Sequence, residues 1–504
     1  MVPMTFRRTR RLLAALLTGL LLVGIGGVVA LMAAWNGARH DTTGVIEFEN
    51  ALDIPPLADS RTDADGTRVF DLTMQRGTTD LGHGPATETW GVNGSYLGPT
   101  VRADRGGRVR LNVSNELSVA STLHWHGMHL PAAMDGGPHQ MIEPGETWSP
   151  EWTIDQAAAS LWYHPHLHGA TAEHVYRGIA GMFLIDDAET PELPSSYGVD
   201  DVPLIVQDKR FRDGQLDLRP GMFTEAGIIG SDILVNGTPA PFFDVTTERV
   251  RLRLLNASNA RTYNFTFTEG VTFDLIATDG GLLAAPVRLS HLMLSPGERA
   301  EIVVSVPAGS STVLRSVTQP LGLDMWTNRF SGGDDSLDIL ELRAGPSLTP
   351  NTAVPDELVA QRDLGEPTVT RTFSISGSNE INDQTMDMGR IDEVVEVNTT
   401  EMWEVRNGTG APHNFHVHDV QFQILDSRDP ALAGPKDTVY IPPGETVRLL
   451  MRFEHYTDPE VPYMYHCHIL AHEDRGLMGQ FVVIDASAHQ DRVPQRLPQA
   501  GHHH

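Results

Sequence analysis

The chain has 504 residues, room for about three domains, and its 40% hydrophobic and 20% charged fractions describe a globular protein with buried cores, which excludes disorder and collagen-like structure. A net charge of −28 excludes nucleic acid as a partner, because a phosphate backbone needs a basic face to meet. The single cysteine, Cys467, excludes an internal disulfide framework, zinc fingers and iron–sulfur clusters on ligand count.

Arg7, Arg8, Arg10 and Arg11 precede an uncharged stretch at 12–35. A positive start followed by an apolar run predicts a signal or membrane-anchor segment over 1–40, so the protein is exported across the cytoplasmic membrane, extracellular or anchored facing outward. Length leaves both outcomes open, since roughly 20 apolar residues span a bilayer and only Val28-Val29-Ala30 offers a cleavage site. Thr9-Arg10-Arg11-Leu12-Leu13 loosely matches a twin-arginine signal, which carries folded proteins. At the other end His502, His503 and His504 follow Gly501 like an added tag and are set aside from the metal argument.

Between the ends a repeat emerges. Pro-Gly-Glu stands at 144–146, 296–298 and 443–445, and a second marker keeps step with it: Val92-Asn93-Gly94, Val235-Asn236-Gly237 and Ile381-Asn382-Asp383. Val109, Leu111 and Val113 alternate with Arg108, Arg110 and Asn112 in the first unit, as Val250, Leu252 and Leu254 alternate with Arg249, Arg251 and Arg253 in the second. Period-2 patterning predicts half-buried antiparallel strands. With 47 Gly, 33 Pro and almost no helical periodicity, each unit reads as a β-sandwich or barrel. The domains expected are 51–188, 202–344 and 368–486, with linkers at 189–201 and 345–367 and a tail at 487–504.

The histidines gather in four clusters: His124-Trp125-His126-Gly127; His164-Pro165-His166-Leu167-His168-Gly169; His413-Asn414-Phe415-His416-Val417-His418; and His466-Cys467-His468 followed by His472. Two lie in the first unit and two in the third, whereas the middle unit holds only His291. On a strand, residues i and i+2 share a face about 6–7 Å apart, a spacing that suits two imidazoles reaching neighbouring metal ions. At the fourth cluster the same alternation sends the Cys467 sulfur to one face and His466 and His468 to the other. A thiolate with two imidazoles selects copper, the chemistry of a blue copper site.

In the order H-W-H-G, H-P-H-x-H-G, H-x-x-H-x-H and H-C-H-x-x-x-H, these motifs resemble those of the multicopper oxidases, over about 51–484. The resemblance implies an all-β chain of three cupredoxin-like Greek-key β-sandwich domains in tandem, with four copper ions. It implies a type 1 site of His413, Cys467 and His472, a type 2 site of His124 and His416, and type 3 sites of His126, His164 and His468 and of His166, His418 and His466. His168 has no ligand role in that pattern and reads as an outer hydrogen-bonding residue. The acids matching the family's proton-delivery positions are Asp135 and Glu473. The reactants implied are dioxygen, reduced to water, and a small-molecule or metal-ion reductant.

Two departures bear on substrate. The axial position is Leu477, where many bacterial members have Met; a non-coordinating residue there predicts a high-potential blue site, unless a shift of one residue brings Met478 into play. Before His413 stand Thr409-Gly410-Ala411-Pro412, in place of the Asp and Met with which bacterial cuprous oxidases hold their substrate, and Met386 and Met388 are the densest Met pair noted. The reading reached is a laccase-like oxidase of phenols or aromatic amines. A metal-ion oxidase for Fe(II), Mn(II) or Cu(I), favoured by the acidic surface, is the alternative, and a non-catalytic envelope scaffold on the same fold the remote one.

Overall fold

Strands whose alternate residues are apolar can hide one face only by pairing sheet against sheet, and the chain does so three times. The computed structural model describes residues 4–487 apart from 85 and 222, together with 495–497; side chains at 4–10 lie outside the description. In the first unit a six-stranded sheet built around Arg68–Thr79 and Arg108–Asn115 faces a four-stranded sheet in the order Val101–Asp104, Gly181–Asp186, Ala159–His164, His124–His126. Leu111, Trp125, Leu161 and Phe183 fill the space between. The second unit pairs a six-stranded with a seven-stranded sheet over Leu252, Phe265, Ile302 and Leu340. The third sets four strands against five, the latter in the order Glu393–Glu396, Met478–Ile484, Asp458–His466, His413–Val417, Thr438–Ile441, over Trp403, Phe415 and Phe481. The all-β, cupredoxin-like class expected from the sequence is the one observed.

Three expectations change in detail. The strands are not uniformly antiparallel: Arg68–Thr79 runs parallel to Arg108–Asn115, Val250–Asn256 to Asp201–Lys209, and Val369–Ile375 to Thr399–Asn407. Crossing from one sheet to the other and back brings like-directed strands side by side, which periodicity alone does not register. The strand Val250–Asn256 is buried on both faces, because carboxylates of its own sheet pair its polar side and Ser160 of the first unit joins them. There Arg253 Nη1 donates to Glu301 Oε1 at 2.9 Å, Arg251 Nε to Glu301 Oε2 at 2.7 Å and Ser160 Oγ to Glu301 Oε1 at 2.7 Å, while Arg253 also pairs with Asp201. Finally, the strand Leu337–Thr349 continues into the stretch read as a linker, and its pairing shifts register between Val245 and Thr247, where Gly345 and Pro346 are accommodated opposite.

Met4–Gly37 is one helix of 34 residues. Among the described residues, its segment Arg11–Gly37 is long and apolar enough to cross a membrane, as expected for export, and it is unburied. Directly after it the chain is tied to the second unit: His40 N donates to Asp335 Oδ1 at 2.8 Å and Thr42 N to Ser336 O at 2.9 Å. Most of the tail, including His502 to His504, lies outside the described residues.

Burial pulls the Glu301 carboxyl up, but the Arg251 and Arg253 guanidiniums override it and hold it at about 2. A carboxylate depressed from 4.5 contributes stability that is full above 4.5 and is lost as pH falls through about 2. Glu301→Gln leaves buried cations underpaired and is expected to cost about 3–5 kcal/mol at neutral pH, read from denaturant midpoints. The gap from the parent is expected to narrow as pH falls from 4.5 towards about 2.

Candidate metal centre

His124 and His126 lie two apart on the edge strand His124–His126, so both rings leave one face of the first unit. The neighbouring strand Ala159–His164 places His164 opposite His124, and His166 follows it out of the strand. From the third unit His416, on His413–Val417, is paired with His466 at the end of Asp458–His466. His418 and His468 continue past the ends of their strands. All eight rings are 0–1% exposed.

Their nitrogens converge. His126 Nδ1 lies 3.3 Å from His164 Nε2, which is 3.4 Å from His468 Nε2. His466 Nε2 lies 3.1 Å from His166 Nε2 and 3.3 Å from His418 Nε2. A third set, His124, His126 and His416, brings its donor atoms within 4.8 Å of one another, and the Nε2 atoms of His124 and His416 have no hydrogen-bond partner. Burial, with neighbouring imidazoles adding to it, holds His126, His164, His166, His466 and His468 well below the usual histidine range. The rings are therefore neutral and offer lone pairs. Nitrogens about 3.3 Å apart suit bonds of about 2 Å to a shared metal ion, and a buried orphan nitrogen costs about 1–3 kcal/mol unless something occupies its lone pair. The donor set fits metal.

Carboxylates fix the far side of these rings. Asp135 Oδ2 accepts from His418 Nδ1 at 2.8 Å, and the Asp135 carbonyl from His124 Nδ1 at 2.9 Å. Burial raises Asp135, yet the His418 and His124 rings override it and hold it far below the usual carboxylate range. Glu473 lies 3.3 Å from His166 Nδ1 and 3.4 Å from His466 Nδ1 without the alignment of a hydrogen bond, and its burial pushes it well above the usual range. Asp437, which sequence reasoning missed, lies 3.0 Å from His126 Nε2, takes His416 Nδ1 on its carbonyl at 2.8 Å, and is clamped by both Arg299 terminal nitrogens at 2.7 and 2.6 Å. No local signal marks Asp437 or Arg299, since they meet only across units. Gly127, at φ 85°, is required here, because a Cβ would stand 2.5 Å from Asp437 Oδ2.

Cys467 lies just past the strand Asp458–His466, and the alternation expected on a strand persists there. Its Sγ is 3.5 Å from His413 Nδ1 and 3.6 Å from His472 Nδ1, on the other side from His466 and His468. His472 comes from the short helix Leu470–Asp474. Burial pushes the thiol up to about 12 and His413 down to about 4, so sulfur and nitrogens are all uncharged until a cation draws off the thiol proton. Asn414, also missed, accepts from His468 N at 2.6 Å and donates to Ser295 Oγ and the Pro296 carbonyl, fastening this loop to the second unit. Leu477 is fully buried in the apolar cluster that contains Cys467, whereas Met478 is paired with His466 and shares its side of the sheet. His168 is exposed and joins none of these groups.

Three facing-sheet units that gather ten imidazoles and one thiol into buried donor sets define a cupredoxin-like metal-binding protein. Residues 73–190, 214–312 and 354–487 match family models described as multicopper oxidase. The chain is 33% identical over 446 residues, 86% of its own length and 93% of the relative's, to multicopper oxidase mco of Staphylococcus haemolyticus. It is 36% identical over 450 residues, 86% and 92% of the two lengths, to cell division protein FtsP of Yersinia pestis. A crystal structure of laccase from Pediococcus acidilactici superposes with a TM-score of 0.78 at 32% identity, covering 87% of this chain and 94% of that one. The chain belongs to the multicopper oxidase family. Membership implies copper, oxidoreductase chemistry, and dioxygen and a reductant as reactants.

Proposed function

We propose that the protein is a laccase-like oxidase that takes single electrons from phenols or aromatic amines and reduces dioxygen to water. His413, Cys467 and His472 would hold the type 1 copper, and His124 and His416 the type 2 copper. His126, His164 and His468 would hold one type 3 copper, and His166, His418 and His466 the other. Bound there, copper supplies one-electron transfer at the sulfur site and dioxygen reduction at the inner cluster. Every other part of the mechanism falls to the chain. The His413 and His472 rings turn Nδ1 to the sulfur, and their Nε2 atoms are buried. The backbone from Cys467 to His466 and His468 joins the two regions covalently. Asp135 orients His124 and His418, and Glu473 is placed between His166 and His466 to pass protons inward from its carboxyl.

The observation that carries the choice of organic reductant is the segment Thr409-Gly410-Ala411-Pro412 before His413, which offers neither carboxylate nor thioether to a metal-ion substrate. A metal-ion oxidase is the second reading, favoured by the net charge of −28, which concentrates cations at the surface. The scaffold reading is weakened because every donor position is filled.

Oxygen uptake by the copper-loaded protein is expected to be faster with a substituted phenol than with Fe(II), Mn(II) or Cu(I) at matched concentration; faster turnover of an ion would favour the second reading. With Leu477 as the axial residue, the type 1 site would have three strong ligands. Leu477→Met adds a thioether donor and is expected to lower the reduction potential measured by redox titration of the blue band, whereas an unchanged potential would remove Leu477 from the axial position.

A further inference from the structure

The apolar helix does not end in a loose tether. Its last turn carries Trp35, whose ring packs on Trp326 at 5.5 Å and Phe330 at 6.3 Å, while Arg329 lies over the ring at 4.9 Å and donates from Nε to the Trp35 carbonyl at 3.0 Å. Trp326 and Phe330 belong to the short helix Met325–Phe330 of the second unit, begun by Asp324, whose carboxylate accepts from the Trp326 and Thr327 amides. Phe223 completes the cluster at 5.6 Å from Trp326 and 5.3 Å from Phe330. Around this landing point Met325 is 74% exposed, Phe223 46% and Trp326 37%. Phe223 also holds φ 63°, a left-handed conformation that bulky side chains rarely adopt. Large apolar side chains grouped on a surface mark a contact.

The two segments that carry this patch also run beside the sulfur site. Beyond Phe223, Glu225 accepts from Arg475 Nη1 at 2.9 Å, and a Cβ on Gly227 would stand 2.7 Å from the Cβ of Ala471, the neighbour of His472. Ahead of Met325, the Leu321 carbonyl accepts from Tyr440 Oη at 2.7 Å, and Tyr440 is paired with Asn414, next to His413. The pieces of chain that present Phe223, Met325 and Trp326 therefore pack against the immediate neighbours of His472 and His413.

We propose that the face bearing Trp35, Phe223, Met325 and Trp326 lies in the interface of the bilayer that the N-terminal helix spans, and that the sulfur site draws electrons from a reductant dissolved in that bilayer. From Leu12 to Trp35 the helix rises about 35 Å, against about 30 Å of hydrocarbon, which sets Trp35 and the aromatic side chains packed on it at headgroup depth. Aromatic rings favour that depth. The net charge of −28 opposes attraction to anionic lipid, so the contact rests on apolar insertion rather than on charge. The reductant class that fits is an alkyl-tailed hydroquinone. Each one becomes a quinone by giving up two electrons and two protons, and a pair of them supplies the four electrons and four protons that convert one dioxygen to two waters. This inference rests on the type 1 reading of His413, Cys467 and His472.

The test uses the full chain, copper-loaded and reconstituted through its helix into phosphatidylcholine vesicles. Cys467 is fully buried, so Met325→Cys, and Asp65→Cys in a hairpin turn of the first unit, can each be labelled selectively with a fluorophore. Nitroxide on the lipid headgroup is expected to quench the label at 325 severalfold more than the label at 65. Equal quenching at the two positions, or none at 325, overturns the proposal, as contact with a protein partner or a second copy would show. In the same vesicles Trp326→Asp is expected to lower the ratio of alkyl-hydroquinone to water-soluble phenol turnover about tenfold, the effect of losing one apolar anchor; an unchanged ratio overturns the lipid route. The blue band, read on each sample, reports the copper site separately: its absence with quenching intact would sink the type 1 reading and leave the docking.

Discussion

Along extended backbone, neighbouring side chains leave on opposite sides, and at Cys467 this one constraint puts a sulfur and two imidazoles into different compartments. Sγ meets His413 and His472, while His466 and His468 meet rings from the first unit. Two chemically distinct donor sets are thus joined through a few covalent bonds, a separation that stays fixed because the flanking strands are locked in a sheet. The rest of the molecule follows from the need to bring the histidine-bearing strand ends of the first and third units face to face.

The second unit contributes no ring to the histidine groups, yet it sets their surroundings. Arg299 from its strand Arg299–Val304 clamps Asp437, and Asp437 in turn steadies His126 and His416. Lys436, one of only two lysines, spans Asp279 and Glu298 of the same unit at 2.9 and 3.0 Å. Burying so many ions is costly unless each is paired and hydrogen-bonded, and here the pairing runs between units. Their relative placement is held by the same contacts that orient the donors. The second unit also packs beside the sulfur site and carries the aromatic cluster against which the N-terminal helix ends.

The strand alternation of Arg108–Asn115, the three-unit organisation and the histidine clusters were legible because they are written in local order and spacing. What was not legible arises from distant pairs. The alternation in Val250–Asn256 marked Arg251 and Arg253 as an outer face, but their partners Asp201 and Glu301 lie far along the chain and bury it. Asp437 and Asn414 look like ordinary polar residues until the fold sets them beside His126 and Cys467. Likewise Phe223, Trp326 and Trp35 are scattered in sequence and become one surface only in three dimensions.

The most direct test is a single substitution at the thiol, Cys467→Ser, scored by copper content, visible spectrum and oxygen uptake together. The account expects the blue band and dioxygen consumption to vanish while the copper bound by the histidine groups is retained. A variant that keeps its colour, or that consumes dioxygen at the parent rate, would contradict it.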